Sequence, residues 1–413
     1  YKLYSRVGNS MSNFTDFISS GGSGGGVLEE IVLNQSQTWV PHRNGTVAIY
    51  VVGAGGAGGK RQGGTDCGMA TGGGAGGFCI KEALDVTTSG SFTVTIGAGG
   101  AATYSSTQNV TGVAGGNSTV AGTGLSATLT ANGGAGGGYI SGENNAGVAG
   151  GAGGTASNGD YNRTGGRGGS VDANLGSASV RIGTGGGAVA IKSATGFHGG
   201  DYKAGGGVGN DTIIGTGGAG IGGNGGGKIV AVNPNASWGL GGGAANYAAY
   251  NLPSAENVYA GNNIKGHPDY KTFEFKGASL IEAKYGVAGI GGFGDSCAAT
   301  NAGGTRASSN IASDNRFYDS VTNYSSDMGC GGGGHGGGTT IVQMAGFGSA
   351  FAGGGGNANA SRSDGDSAGR TTGTGGCGGG GGGFFVGQAG GGYLNAAGNG
   401  GDGLVIIHYT AYA

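Results

Sequence analysis

The stretch Gly53-Ala54-Gly55-Gly56-Ala57-Gly58-Gly59 repeats two glycines and one other residue, so a non-glycine residue returns at every third position. A period of three matches neither a β-strand, whose side chains alternate with period two, nor an α-helix, whose period is 3.6. It matches the polyproline II helix, which has three residues per turn and no internal hydrogen bonds. The sequence therefore predicts polyglycine II helices whose backbones hydrogen-bond laterally to one another.

The same rhythm recurs along the chain, for example in residues 133–137, 150–154, 165–169 and 217–227. Glycine occupies 113 of 413 positions, against a typical usage of about 7%. Collagen is excluded because the chain has only 4 prolines and no strict Gly-X-Y frame. Since ordering a glycine costs more conformational entropy than ordering any other residue, a folded state needs dense amide hydrogen bonding, oligomerisation or both. Silk-like disorder is the alternative.

Runs of β-branched and apolar residues indicate strands that bracket the glycine blocks. The two most hydrophobic, 46–52 and 404–409, lie near opposite ends of the chain, and we expect them to pair or to lie in one sandwich. Further strands are expected at 30–33, 78–80, 91–96 and 126–130. The predicted fold class is all-β, a β-sandwich base with a layer of polyglycine II helices and variable connecting loops.

The organisation along the chain follows from shifts in composition. Residues 1–26 end in a glycine-serine run and read as an attachment segment with a flexible linker, followed by a glycine-rich domain over 27–413. Residues 228–285 are poor in glycine and rich in aromatic side chains, which indicates an insertion with its own small hydrophobic cluster.

Charge and cysteine content exclude several classes of protein. With 20 Lys plus Arg against 22 Asp plus Glu, the chain has no basic patch of the kind that binds nucleic acid. No run of 18 apolar residues predicts a membrane span. The five cysteines are odd in number, widely spaced and without a Cys-x-x-Cys pair, which argues against a disulfide scaffold and against a zinc site.

Three matches to catalytic or nucleotide-binding motifs fail on their context. Gly53–Gly58 fits the dinucleotide fingerprint, but the glycines that follow leave no helix to hold the pyrophosphate. Gly222–Lys228 imitates a phosphate loop, yet Ile229 stands where Ser or Thr must reach the magnesium ion. Gly365–Gly369 fits Gly-x-Ser-x-Gly without a histidine in a catalytic context. The sequence predicts no enzyme, no cofactor and no metal site.

Short segments rich in Asn, Asp, Ser and Tyr separate the glycine blocks. Such residues suit turns, and they are also the types that antibody paratopes use for contact. One interpretation is that the 17 tyrosines cover helix edges; the other is an exposed rim of aromatic anchors. The residues that we expect to contact a receptor are Tyr104, Tyr139, Asn144, Tyr161, Tyr202, Tyr318 and Tyr324.

Several stretches together carry a family resemblance. Residues 39–41 (Trp-Val-Pro), followed by Thr46–Gly56, resemble the opening of the glycine-rich domain at the tips of tail fibres of tailed bacteriophages. Residues 76–78, 84–87 and 92–100 continue that pattern, and 400–409 is similar to its closing strand. The chain is also similar, more remotely, to the distal adhesins of T-even phages and to the glycine-rich ectodomain of anaplastic lymphoma kinase receptors.

The resemblance implies a receptor-binding protein at the extracellular surface of a virion, which attaches to a host outer-membrane protein or glycan through variable loops. Its other partners would be fibre subunits, including further copies of this chain, with a trimer as one option. Two alternatives stay open. One is a purely structural extracellular or fibre protein, including an ice-binding glycine bundle, which regular loop-free stacks with one flat face would favour. The other is a receptor ectodomain, which would need disulfides.

Overall fold

The structure is a computed structural model that describes residues 28–62, 68–103, 109–141, 147–171, 181–190, 192, 195–202, 213–220, 225, 237–238, 295–297, 335–337, 348, 351–359, 370–371, 373–386 and 395–412. Within these residues the chain forms 22 β-strands and no helix, so the predicted all-β fold is confirmed.

In chain order the strands are β1 (Leu28–Leu33), β2 (Gln37–Trp39), β3 (Gly45–Val52), β4 (Lys60–Gln62), β5 (Gly68–Ala70), β6 (Phe78–Val86), β7 (Phe92–Thr95), β8 (Ser118–Gly122), β9 (Leu129–Ala131), β10 (Tyr139–Ser141), β11 (Ala156–Ser157), β12 (Tyr161–Arg163), β13 (Arg181–Gly183), β14 (Ile213–Gly215), β15 (Ser237–Trp238), β16 (Asp295–Cys297), β17 (His335–Gly337), β18 (Asn357–Asn359), β19 (Arg370–Thr371), β20 (Phe384–Val386), β21 (Asn395–Ala396) and β22 (Leu404–Ala411).

The first and last strong strands pair, as the sequence predicts. In an antiparallel sheet of order β1-β22-β3-β6-β12, Leu404 lies opposite Val52 and Tyr409 lies opposite Val47. Strand β1 pairs with the other edge of β22. The first and last strands of the described chain therefore belong to one sheet, which we call the central sheet.

The central sheet is buried on both faces. On one face Val405, Ile407 and Tyr409 pack against a second antiparallel sheet of order β11-β9-β8-β7-β2, which completes the sandwich. On the other face Leu404 and Ile406 pack against the ends of glycine-rich segments. This double burial explains why β22 reads as an almost unbroken apolar run rather than as an alternating pattern.

From the sandwich the chain makes repeated excursions into a glycine layer, each running outward and then back. Their residues near the sandwich, such as Val189, Phe351 and Cys377, pack on the central sheet. Their far ends form short strands in two further sheets, of orders β10-β5-β13-β14-β15 and β16-β17-β18-β20-β4, while β19 and β21 pair separately. The seven described excursions are 53–62 with 68–77, 97–103 with 109–116, 132–141 with 147–155, 164–171 with 181–190, 195–202 with 213–220, 351–359 with 370–378, and 379–386 with 395–403.

Hydrogen bonds around residues 53–60 repeat with a period of three. Successive amides donate to three different neighbours, and each neighbour is met again three residues later. The bonds run from residues 53, 56 and 59 to the carbonyl oxygens of 77, 74 and 71, from 54, 57 and 60 to those of 116, 113 and 110, and from 55 and 58 to those of 401 and 398, all at 2.8–3.1 Å.

The carbonyl oxygens of the same segment accept from further neighbours. Gly134 and Gly137 donate to Ala54 and Ala57, while Gly381 donates to Gly56. Residues 53–60 are thus surrounded by hydrogen-bonded backbones of neighbouring segments. Packed polyglycine II helices would produce this three-residue period; the polyglycine II conformation itself stays a prediction.

Interior glycines leave no room for a side chain. A Cβ atom added at Gly55 would overlap the carbonyl oxygen of Gly379, and one at Gly58 would overlap that of Gly382. The third residues Ala54 and Ala57 are accommodated and fully buried. Glycine is therefore required at these places by the close approach of neighbouring backbones.

A row of buried threonines links the returning segments. Thr71, Thr184 and Thr216 follow directly after β5, β13 and β14, respectively. These three strands pair in parallel with one another, and Ala70, Gly183 and Gly215 are in register. The Thr184 hydroxyl accepts from the Gly72 amide at 3.0 Å and donates to the Gly169 carbonyl oxygen at 2.5 Å. The hydroxyls therefore link neighbouring segments at positions where their backbone groups do not pair directly with each other.

The predicted insertion at 228–285 lies outside the described residues except for β15, which pairs with β14. The division into 1–26 and 27–413 stays a prediction, as nothing in the described residues bears on it.

We predict that Gly55→Ala destabilises the fold by about 3 kcal/mol or more, because its methyl group would overlap the backbone of Gly379, which is itself hydrogen-bonded to Gly376 and Gly401. Gly138→Ala is the matched control, since the nearest atom to its added Cβ is the Val148 Cγ2 at 3.2 Å. Equilibrium denaturation of both variants measures the difference. Equal midpoints for the two would contradict the packing described above.

Thr184→Val should lower the free energy of unfolding by about 2–4 kcal/mol, because it buries an unsatisfied Gly72 amide and Gly169 carbonyl without changing the side-chain shape much. Thr184→Ser keeps the hydroxyl and should retain most of the stability. Calorimetry of the two variants checks this, and the threonine row has no such role if both melt alike.

Candidate functional site

The far ends of the seven excursions lie together at the end of the glycine layer opposite the sandwich, which we call the distal end. Strands β4, β5, β10, β13, β14, β18 and β20 stand there and contact one another. The chain leaves the described part at residues 62, 103, 141, 171, 202, 359 and 386, and re-enters it at 68, 109, 147, 181, 213, 370 and 395. Seven connections therefore start and finish at this one end.

Cationic side chains lie at the distal end. Lys60 is buried, and burial lowers its pKa to about 8. The Arg61 guanidinium donates to Asn109 Oδ1 at 2.9 Å, and the Gln62 amide donates to the same oxygen at 2.9 Å. Arg181 stands opposite Gly68 in the ladder between β13 and β5. Two connections, 62–68 and 103–109, are thus tied together at their bases.

Tyr139 is the predicted contact residue that the structure sets at the distal end. It is half-buried on β10, opposite Ala70 of β5, and β10 also contacts β4. Tyr104 and Asn144 lie outside the described residues, in connections whose flanking residues belong to the distal end. Tyr318 and Tyr324 also lie outside them, between β16 and β17 in sequence.

Tyr202 does not occupy the exposed position that the sequence interpretation expects. Its side chain is completely buried, and burial raises its pKa to about 12. Its amide donates to the Ser170 carbonyl oxygen at 2.9 Å, and its backbone bridges Val171. The expectation of an exposed loop tyrosine is wrong here because a residue at the end of an outward segment packs against the next segment.

Tyr161 lies at the sandwich end rather than in a distal loop. It is half-buried on β12, opposite Ile80 of the central sheet. The Lys192 Nζ lies 4.3 Å from the centroid of its ring, and the Arg163 guanidinium carbon lies 5.9 Å from it. Cations over an aromatic face stabilise such a cluster. These contacts therefore give the Tyr161 ring a structural role.

Ion pairs surround this tyrosine. Lys192 Nζ contacts Glu82 Oε1 at 2.9 Å, and Lys81 Nζ contacts Asp160 Oδ1 at 2.8 Å. The hydrogen bond from Lys81 holds the pKa of Asp160 below its ordinary value. The Lys81–Asp160 pair joins β6 to the turn before β12, and the Glu82–Lys192 pair joins β6 to Lys192. The expected receptor contact at Tyr161 stays a prediction, and this residue lies apart from the distal end.

A second surface is the outer layer of segments 97–103, 109–116, 132–141, 147–155, 164–171 and 195–202, in which each segment hydrogen-bonds to the next. The third residues of its first four segments face outward. Ala98, Ala135 and Ala152 are exposed, and Val113 is 48% exposed. The outer layer thus presents a face of small side chains at regular intervals, which the alternative interpretation anticipates.

Among the described residues, no group of three or more His, Cys, Asp and Glu side chains could hold a metal ion. The described part of the chain contains no helix that is long and apolar enough to cross a membrane.

Sequence reasoning missed the distal cations Lys60, Arg61 and Arg181, since isolated basic residues carry no motif. A usable signal was present, because each follows or precedes a glycine segment at the far end of an excursion.

Residues 31–263 match the family model of the glycine-rich domain, which is more than half of the chain. The chain therefore belongs to the glycine-rich domain family. No curated protein matches its sequence.

Tyr202→Ala should lower the free energy of unfolding by about 3–5 kcal/mol, because it empties a fully buried aromatic position. Tyr139→Ala, at a half-buried position on an edge strand, should cost about 1 kcal/mol. Urea denaturation of both variants tests the contrast. A nearly unchanged Tyr202→Ala protein would show that the side chain is dispensable for packing.

Proposed function

We propose that this member of the glycine-rich domain family is a receptor-binding protein at the tip of a bacteriophage fibre. It attaches to a host cell-surface protein or glycan by non-covalent contact and catalyses no reaction. In this proposal the protein acts at the extracellular surface of the virion, and its partners are the host receptor and other fibre subunits.

One observation carries the proposal: the first and last strands of the described chain lie in the sandwich, whereas the described residues that flank the seven connections lie at the distal end. Strands β1 and β22, which lead to the termini, pair in the central sheet. The connections start from the far end of the glycine layer. A fibre protein needs this polarity, because one end must join the fibre while the other meets the cell.

The glycine layer supports the proposal as a scaffold. Its segments are bonded to neighbours at nearly every turn, so the bases of the connections are fixed in position. Binding residues are commonly carried on loops that a rigid framework positions. Tyrosine and asparagine in such loops give rigid contact area and adaptable hydrogen bonds. The proposed contact residues are therefore Tyr104, Tyr139, Asn144, Tyr318 and Tyr324.

The sandwich end suits contact with other fibre subunits. Val40 and Tyr412 are 51% and 52% exposed there, and both are large hydrophobic residues. Exposed apolar residues are common on surfaces that associate. A homo-oligomer, such as a trimer, would be joined through this end and would leave the distal end free.

The exposed third residues of the outer layer favour a second candidate function. The protein would then be a structural fibre or matrix component, or an ice-binding glycine bundle. Ala135 and Ala152 stand outward on adjacent segments joined by the bond from the Ala135 amide to the Ala152 carbonyl oxygen, 2.8 Å. In this candidate the regular face, and not the distal end, makes the contact.

Binding to whole cells discriminates between the candidates. Labelled recombinant chain is titrated onto a panel of Gram-negative and Gram-positive strains, and we expect saturable binding to at least one strain. Tyr104→Ala and Asn144→Ala should each weaken that binding about tenfold or more, in line with the loss of a hot-spot side chain, while melting temperatures stay close to that of the parent protein.

The control is Thr93→Ala, which removes an exposed side chain from the second sheet of the sandwich. It should bind cells as the parent protein does. Ala135→Lys and Ala152→Lys test the outer face in the same assay. Loss of binding in these two variants, with the distal variants unaffected, would refute the distal assignment and favour the structural candidate; absence of saturable binding to every strain would refute the adhesin itself.

A further inference from the structure

Two neighbouring segments of the outer layer are joined by a cluster of polar side chains at their third residues. Arg167 belongs to segment 164–171, while His198 and Asp201 belong to segment 195–202. Backbone bonds also connect the segments, from the Gly196 amide to the Thr164 carbonyl oxygen and from the Gly199 amide to the Arg167 carbonyl oxygen. The cluster therefore lies over a seam between two glycine segments.

The seam is closed by charge-assisted hydrogen bonds. The Arg167 guanidinium donates to both carboxylate oxygens of Asp201, at 2.6 and 2.7 Å, and to Ser170 Oγ at 2.8 Å. The Ser170 amide donates to Asp201 Oδ1 at 2.8 Å. This bidentate arrangement fixes the orientation of both side chains.

His198 takes part as an acceptor. The Arg167 amide donates to its Nδ1 at 3.2 Å, so this nitrogen must carry a lone pair. A proton on Nδ1 would place two N–H groups against each other and would bring a second positive charge beside the Arg167 guanidinium. The observed geometry is therefore compatible only with the neutral imidazole.

The charged surroundings of His198 act in opposite directions. Burial lowers the pKa of His198, the Arg167 charge lowers it further, and the Asp201 charge raises it. For Asp201, burial favours the neutral acid, but hydrogen bonds from Arg167 and Ser170 outweigh it, so its pKa is lowered. Gly185, Ala188, Thr216, Gly217 and Gly225 also contact this segment, and none of them bears a charge.

We propose that His198 is an acid-sensitive latch, which holds segment 195–202 on the outer layer when its ring is neutral and releases it on protonation. Release would loosen the segment that carries Tyr202 and leads to the connection between residues 202 and 213. The latch is independent of the proposed receptor binding, since it depends only on the seam.

The direction of the pH effect follows from proton linkage. The opened segment exposes a histidine with the ordinary pKa of 6.5, whereas the closed segment binds the proton less well. Stability of the closed state is therefore complete above that value and falls as the pH drops through it. Acidification from pH 7.5 to 5.5 therefore increases the opened fraction by at most about tenfold, the limit for a closed ring that does not titrate in this range.

Hydrogen–deuterium exchange of the full chain measures this opening. After correction for the intrinsic exchange rate at each pH, amides of residues 195–202 should lose protection between pH 7.5 and 5.5, by up to about tenfold. In His198→Asn the side-chain oxygen can replace Nδ1 as acceptor and does not titrate, so protection should not depend on pH. His42→Asn, at an exposed histidine of the sandwich end, is the matched control and should keep the response.

Unchanged protection in the parent protein at the two pH values would overturn the latch, and so would an undiminished acid response in His198→Asn. Should His198→Asn fail to fold, histidine-resolved NMR titration of the parent protein decides the question. The loss of protection in residues 195–202 must then follow the titration of His198 rather than that of His42.

Discussion

The structure depends on one interaction, the hydrogen bond between the amide of one glycine-rich segment and the carbonyl oxygen of the next. It forms because no Cβ atom keeps the two backbones apart. The bonds of residues 53–60 point successively to three neighbours, so a single segment can hold many others in place. Backbone thus does the packing that side chains do in most domains, which is how a chain with 113 glycines can be ordered.

The same constraint decides where side chains can stand. Inside the layer, side chains larger than alanine stand where they complete hydrogen bonds, as the hydroxyl of Thr184 does, or where they pack on the central sheet, as Val189 and Phe351 do. On the outer layer the third residue turns outward, where Val113 and Arg167 are accommodated. Outward side chains also prevent another glycine segment from approaching, so they limit the lateral growth of the layer. Larger side chains are thereby accommodated on the outer face and at the ends of the excursions.

The sandwich solves a different problem, which is to anchor the glycine layer. Burial of the central sheet on both sides couples a conventional apolar core to the ends of the excursions, through residues such as Val189 and Phe351. The parallel ladders at the distal end close the layer from the other side. Between these two fixed ends, glycine segments can be ordered although each contributes little apolar surface of its own.

The candidate site could be predicted only in part. Tyrosines in polar connections are visible in the sequence, yet composition gives no information on which end of the molecule a connection occupies. Tyr139 and Tyr161 look alike in sequence. Tyr139 nevertheless lies at the distal end beside β5, whereas Tyr161 lies beside β6 in the central sheet. Tyr202 is buried because an adjacent segment covers it, and pairing between segments 164–171 and 195–202 has no local signal.

The sequence by itself determined the period of three, the all-β class and the pairing of β3 with β22, because each follows from local spacing or from strong apolar runs. Tertiary structure decided which segments are neighbours, where the threonine row lies and that the residues flanking the connections lie at the end opposite the sandwich. The physical reason is that glycine segments are nearly identical, so the backbone amides of one segment do not distinguish between possible neighbours. Only the order in which the excursions leave and rejoin the sandwich selects the partner of each segment.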